Sequence, residues 1–235
     1  MLNIQDFQLQ HVITSIGGLG TAAFGLVDAT KSAIPQINRI GLPHIQEVVG
    51  GLVPEGGNAG VAINALPRAD ILKTVQANWV NGSDLSAQKA IAKSLIKLHL
   101  TAGNAAAVAA HCNVDPQTLT DIAASMANGT PLTQQQSDAN ARFDLVLTAL
   151  LDEAYQLSDQ DYRNRTRTVA ALYAVVLAVL GGWALAGGQP YWLTAQPWMA
   201  LLVGLLATPL APIAKDLSSA LAAAVNAMQV VKKGV

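Results

Sequence analysis

The sequence predicts an all-α membrane protein with two strongly apolar transmembrane helices, a third and less apolar candidate, and a small helical cytoplasmic domain. Three observations predict this fold class. No Asp, Glu, Lys or Arg occurs between Arg167 and Lys215. That interval contains two apolar segments of membrane length, 168–187 and 198–214. The preceding hundred or so residues carry apolar side chains at helical spacing and many alanines, which is typical of a small helical domain.

The first of these segments is apolar enough to insert by itself. In hydrocarbon a helix satisfies its own backbone hydrogen bonds, and about 20 residues match a bilayer core roughly 30 Å thick. Large apolar residues contribute roughly −0.3 to −0.6 kcal/mol each, so insertion is favoured by about 3 to 4 kcal/mol. The residues counted are Val169, Leu172, Val175, Val176, Leu177, Val179, Leu180 and Leu185.

The third candidate, 11–27, is uncharged but rich in Gly, Ala, Ser and Thr. One interpretation is a transmembrane helix in which Gly18 and Ala22 let another helix approach closely. The alternative is an interfacial or buried hairpin that does not cross the membrane. Asp28 and Lys31 end the segment in either case, since a charge deeper in the bilayer costs about 3 kcal/mol.

The distribution of cations predicts the orientation. Positive charge gathers on the cytoplasmic side of a membrane, so we expect an extracytoplasmic N-terminus, with the middle domain and C-terminus on the cytoplasmic side of the inner membrane. The cations are Lys31 and Arg39 after the first candidate span, Arg163, Arg165 and Arg167 before the second, and Lys215, Lys232 and Lys233 after the third. All but the first two are also candidates for contact with anionic lipid headgroups.

Aromatic residues cluster around the loop between the two apolar segments. Trp183, Tyr191, Trp192 and Trp198 lie there, although aromatic residues make up only 5% of the chain. Trp and Tyr are enriched where a membrane meets water. We therefore expect these four residues to form an interfacial belt.

Small residues in the candidate spans predict close helix packing. Gly181, Gly182 and Gly204 join Gly18 and Ala22 as candidate helix-packing residues. A chain with three spans makes such contacts most readily with other copies. We therefore expect a homo-oligomer. Membrane lipids are further expected partners, and a larger protein complex is a candidate partner.

The chain divides into five predicted segments. Residues 34–66 are dense in Gly and Pro, which favours a membrane-proximal linker; a re-entrant, pore-lining segment is the alternative. Residues 216–235 form an amphipathic helix that lies on the inner leaflet or packs on a sibling copy. In order, the segments are 1–33 with the first candidate span, the linker 34–66, the cytoplasmic helical domain 67–165, the transmembrane hairpin 166–215, and the C-terminal helix 216–235.

Capping residues predict the helices of the cytoplasmic domain. Pro67 opens a helix that Asn81-Gly82 ends, and Ser83 or Asp84 caps the next. Asp115 is a predicted N-cap, with Pro at the following position. Thr133 and Gln136 form a capping box for a helix that continues without Pro or Gly to Leu180. Three apolar faces are predicted: Leu72, Val75 and Trp79; Leu85, Ile91, Leu95 and Leu98; and Phe143, Val146, Leu147, Leu150, Leu151, Ala154 and Leu157.

The sequence offers no convincing catalytic, cofactor or metal site. His111 and Cys112 are adjacent, so on a helix they diverge by about 100°, and His44 and His99 stand apart from the paired spacing that zinc favours. The residue pattern of 106–124 is that of a helix-turn-helix. No Lys or Arg lies between Lys97 and Arg142, however, so the segment lacks cations to contact DNA phosphates. With a net charge of −1, we expect no nucleic-acid binding.

Two functional classes remain open from the sequence. The first is a non-enzymatic membrane scaffold or anchor that holds a soluble helical domain or partner complex at the membrane. The second is a homo-oligomeric pore or membrane-disrupting effector controlled by the cytoplasmic domain, with 11–27 and the amphipathic C-terminal segment suited to the lining. A transporter is disfavoured because the strongly apolar spans contain no charge to coordinate a substrate or ion.

Overall fold

A computed structural model describes residues 4–31, 33–55, 66–187 and 190–213, with side chains from residue 12 onward. These residues form helices joined by turns, without strands. The chain divides into two compact units, Gln36–Tyr162 and a second unit made of Met1–Pro35 with Arg163–Val235. We call the first the helical domain and the second the apolar unit. The all-helical prediction is confirmed, and three helices are long and apolar enough to cross a membrane.

The helical domain is built from short helices and the first part of a very long one. Its largest fully buried side chains come from the beginning, middle and end of the domain, and include Ile45, Ile96 and Tyr155. They form one core. The helices are α1 Ile4–Thr30 in the apolar unit, then α2 Pro35–Asn38, α3 Leu42–Leu52, α4 Arg68–Val80, α5 Leu85–His99, α6 Ala105–Cys112, α7 Pro116–Asn128 and α8 Gln134–Leu185.

Helix α3 belongs to this core, although the sequence assigned 34–66 to a linker. Leu42, Ile45, Val49 and Leu52 are all buried, and their spacing places them on one helical face. The Gly and Pro residues that suggested irregular structure are accommodated. Pro43 lies in the first turn, where a helix tolerates it. Residues 56–65 of the predicted linker lie outside the described part.

The predicted caps are confirmed. The Asp84 carboxylate accepts hydrogen bonds from the backbone N–H groups of Ser86 and Ala87, and Asp115 accepts one from Thr118. Thr133 and Gln136 form the predicted capping box, in which each side chain bonds the backbone N–H of the other. The long helix that follows runs without interruption, as the absence of Pro and Gly indicated.

Helix α5 buries only part of the predicted face. Leu85 and Leu95 pack against the core, whereas Ile91 and Leu98 are exposed. The fully buried residues are Gln88, Ala92 and Ile96. Three lysines of α5 lie against α8. The ion pairs join Lys89 to Asp152, and both Lys93 and Lys97 to Asp144.

The apolar unit contains α1, the second part of α8 and a helix that we call α9, described over Gln196–Ile213. A short 3₁₀ turn, Tyr191–Leu193, lies between α8 and α9. The segment predicted as either a span or a hairpin is one continuous helix, with a membrane-length portion over Val12–Thr30. Residues 214–235 lie outside the described part, and with them Lys215, Lys232, Lys233 and the predicted C-terminal helix.

Candidate functional site

The interior of the apolar unit is made mainly of small residues, with Val27 and Tyr191 as larger buried side chains. Ala23, Ala174 and Ala207, one from each long helix, form its buried cluster. The helices approach closely at two glycines. A Cβ on Gly20 of α1 would overlap the carbonyl group of Ala207, and a Cβ on Gly204 of α9 would come within 2.5 Å of the Cα atom of Val175 in α8. Both glycines are therefore required for the observed separation of the helices.

Large apolar side chains point outward from α8 and α9. Leu180 is 53% exposed and Leu185 is 89% exposed. Large apolar side chains thus lie on the outside of this unit, whereas a water-soluble protein buries them in its core. Membrane helices pack through small residues because lipid solvates the large ones. The remaining exposed side chains of this surface are Leu172, Val176, Trp183, Trp198, Met199, Leu202, Leu205, Leu206 and Ile213.

The outward face of α1 has a different composition. Ser15, Gly18, Ala22, Gly25 and Ala29 are exposed at alternating spacings of three and four residues, which is the repeat of a seam between two helices. A Cβ on Gly18 or Gly25 would meet no atom within 4 Å. We call these five exposed residues the small-residue face, in which the two glycines have open space beside them among the described residues.

The five predicted helix-packing residues fall into two groups. Gly204 lies against α8, and Gly182 lies beneath the ring of Tyr191, whose hydroxyl would be 2.7 Å from a Cβ on that glycine. Gly18, Ala22 and Gly181 are exposed, and the two glycines have open space beside them. Sequence reasoning missed Gly20, which differs from Gly18 only in the direction it faces.

The aromatic residues of the hairpin also separate. Trp183, Trp192 and Trp198 are exposed, whereas Tyr191 is buried. The rings of Tyr191 and Trp192 meet edge to face at 5.2 Å. The interfacial belt stays a prediction for the three exposed indoles, whereas the tyrosine packs against Gly182 of α8.

The cations predicted to set the topology lie at the beginning of the apolar part of α8. Arg163, Arg165 and Arg167 are all exposed. Their contact with anionic lipid headgroups stays a prediction.

The described part of the helical domain contains no cluster of three or more potential metal-ligating residues. Cys112 is buried, and burial raises the pKa of its thiol to about 11. The thiol is therefore protonated at neutral pH, a poor state for a nucleophile. His99 contacts the carbonyl oxygen of Leu66 through its Nδ1 at 2.9 Å, and His111 is exposed beside Gly51.

One shallow cavity of about 330 Å³ lies in the helical domain, between the start of α7 and the start of α8. Asp115, Asp138 and Arg142 line it. Asp115 caps α7 and Asp138 accepts a hydrogen bond from Gln134, so both carboxylates already have structural partners. The apolar unit therefore remains the candidate functional surface.

Comparison with protein families, with curated proteins and with solved structures found no match to this chain.

Proposed function

We propose that the chain is a non-enzymatic integral membrane scaffold, a self-assembling anchor that holds its helical domain, or a partner complex bound to that domain, at the inner membrane. The observation that carries this proposal is that α8 contributes side chains to the cores of both units. Leu147 and Leu151 of this one helix are core residues of the helical domain, and Ala174 of the same helix is a core residue of the apolar unit. The two units are thus joined by continuous helix, without a linker at this junction.

The reversed arrangement of the apolar unit supports embedding in a bilayer. An exposed surface of Leu, Val, Met and Trp around a core of Ala and Gly is stable in lipid and prone to aggregate in water. The exposed arginines before the span support a cytoplasmic helical domain through positive-inside bias. A cysteine placed on the surface of the helical domain should then react with a membrane-impermeant maleimide only after the cells have been permeabilised.

The small-residue face of α1 supports self-assembly. Ser15, Gly18, Ala22, Gly25 and Ala29 would let two copies of α1 pack closely, whereas the outward faces of α8 and α9 carry the large side chains suited to lipid. The partner proposed here is a second copy of this chain.

The test is the mass and image of the particle reconstituted in lipid nanodiscs, for the wild type and two matched variants. We expect a small closed oligomer, which Gly18→Leu reduces to monomers because it fills the small-residue face. Ala184→Leu, at an exposed alanine of α8, should leave the oligomer intact. A monomeric wild type, or equal behaviour of both variants, would contradict self-assembly through α1.

A second candidate function is an oligomeric pore, and the composition of α1 favours it. Thr14 and Thr21 are exposed hydroxyl-bearing residues on this helix, and a ring of α1 helices would present them to a water-filled lumen. Dye release from proteoliposomes discriminates the two functions. Release that is lost in Thr21→Leu, outside the small-residue face, would support the pore, and sealed vesicles that contain assembled protein would support the anchor.

A further inference from the structure

A cavity of about 400 Å³ lies in the apolar unit between the end of the apolar part of α8 and the start of α9. Ala178 and Gly182 line it from α8, Met199 and Ala200 line it from α9, and Tyr191 lines it from the connecting turn. Its volume falls within the range of small-molecule sites, roughly 300 to 1,000 Å³. The lining is almost entirely apolar, which suits a hydrocarbon chain.

Tyr191 is the unusual member of this lining. Its side chain is 2% exposed, and its hydroxyl has no hydrogen-bond partner among the described residues. A buried hydroxyl without a partner is costly and calls for an explanation such as an absent ligand. The ring rests on Gly182, where any side chain would displace it. The structure thus holds a hydrogen-bond donor in place beside an apolar cavity.

Gln196 adds a second polar group to the lining. Its backbone N–H donates to the Thr194 hydroxyl, and Gln196 is an exposed residue of the cavity lining. A ligand that fits both features has an apolar chain and oxygen acceptors near one end.

We propose that this cavity binds one acyl chain of a diacyl phospholipid, whose ester carbonyl accepts a hydrogen bond from the Tyr191 hydroxyl. The cavity lining includes Leu185 and Met199, which also belong to the exposed apolar surface, so a chain can enter it from surrounding lipid. Ester carbonyls lie near the membrane interface, where the neighbouring Trp192 and Trp198 are suited to reside. This inference rests on the membrane embedding proposed above.

The experiment is native mass spectrometry of protein released from two kinds of nanodisc, one of dioleoyl phosphatidylcholine and one of its ether-linked analogue, which lacks the ester carbonyls. We expect the wild type to retain one more lipid per chain than Ala178→Phe, which fills the cavity. Leu172→Phe, at an exposed position of the same helix, should retain as much lipid as the wild type. The ester lipid should be retained about fivefold better than the ether lipid, the effect of one net hydrogen bond.

Tyr191→Phe should remove the preference for the ester lipid while the cavity still holds a chain. Equal retention by wild type and Ala178→Phe would overturn the site, and equal retention of ester and ether lipids by the wild type would overturn the role of the hydroxyl. The comparison of lipids in the wild type keeps this test valid even if a variant does not fold. Failure of the protein to enter nanodiscs would instead contradict membrane embedding itself.

Discussion

The Ser158 hydroxyl donates a buried hydrogen bond to the carbonyl oxygen of Gly41, 117 residues earlier in the chain, across 2.8 Å. Gly41 has a positive φ of 83°, and its Cα stands so close to α8 that a Cβ would overlap the Ser158 carbonyl. The indole of Trp79 donates to the neighbouring carbonyl of Ile40 at 3.1 Å. These contacts fix the start of α3 against α8 and so close the helical domain.

Gly41→Ala should destabilise the helical domain by more than its backbone conformation alone requires. A left-handed alanine costs about 1 to 2 kcal/mol, and the overlap with Ser158 adds to that cost. The matched control is Gly82→Ala, which has a φ of 66° but open space beside it. Thermal unfolding of the full chain in detergent should give a clearly lower Tm for Gly41→Ala than for Gly82→Ala. Equal melting temperatures would contradict the close contact.

Gly204→Ala should loosen the apolar unit. The new methyl group would meet the backbone of Val175, so α8 and α9 must separate and lose part of their packing. Gly181→Ala is the control, because a Cβ there meets no atom within 4 Å. Protease resistance in detergent should fall for Gly204→Ala and stay at the wild-type level for Gly181→Ala. A greater loss in the control would show that the helices pack differently.

Asp144 should make stability depend on acid pH. Its hydrogen bonds with Lys93, and then with Lys97, lower the pKa of this carboxyl below its usual value near 3.8. A lowered folded-state pKa gives stability that is present above pH 3.8 and is lost as the pH falls further toward the folded-state pKa. Asp144→Asn should therefore lose about 1 kcal/mol at neutral pH and show a smaller decrease below pH 4.

The control for this prediction is Asp70→Asn, whose carboxylate pairs with Lys73 across 3.7 Å on the exposed side of α4. Its denaturant midpoint at neutral pH should fall by less than that of Asp144→Asn. If Asp144→Asn and wild type lose stability in parallel as the pH falls, the ion pairs between α5 and α8 do not contribute as described.

Cys112 should react slowly with thiol reagents in the folded protein. Burial raises the pKa of its thiol to about 11, so little thiolate exists at pH 8, and the surrounding side chains block access. As the single cysteine, it reports on opening of the helical domain. Labelling with N-ethylmaleimide, followed by mass spectrometry, should be complete only in denaturant. Rapid labelling of the native protein would contradict this burial.

Local signals in the sequence predicted much of the helical domain. Asp84, Asp115 and the pair of Thr133 with Gln136 act within their own helical turn, so residue type and spacing are sufficient to place them. The membrane-length helices could also be predicted from the sequence, because length and composition define them.

Features that depend on distant partners were not predicted. Helix α3 was taken for a linker because of its Gly and Pro residues, although Leu42, Ile45 and Val49 have helical spacing. Its burial depends on α4 and α6, which follow it in the chain and pack against it. Gly18 and Gly20 look alike in the sequence, and only the position of Ala207 on α9 determines that Gly20 is the one in contact. The cavity beside Tyr191 likewise requires two helices and a turn to be placed together.

The central claim, that the apolar unit lies in a bilayer while the helical domain lies in water, is tested most directly by spin labels on α8. In a Cys112→Ser background, nitroxides would be attached at Leu180→Cys and, as the matched control, at Leu145→Cys, whose leucine is 71% exposed in the helical domain. In liposomes the label at position 180 should collide with dissolved oxygen and be shielded from a water-soluble nickel chelate. The label at position 145 should show the opposite preference. Equal access of the nickel chelate to both labels would contradict membrane embedding.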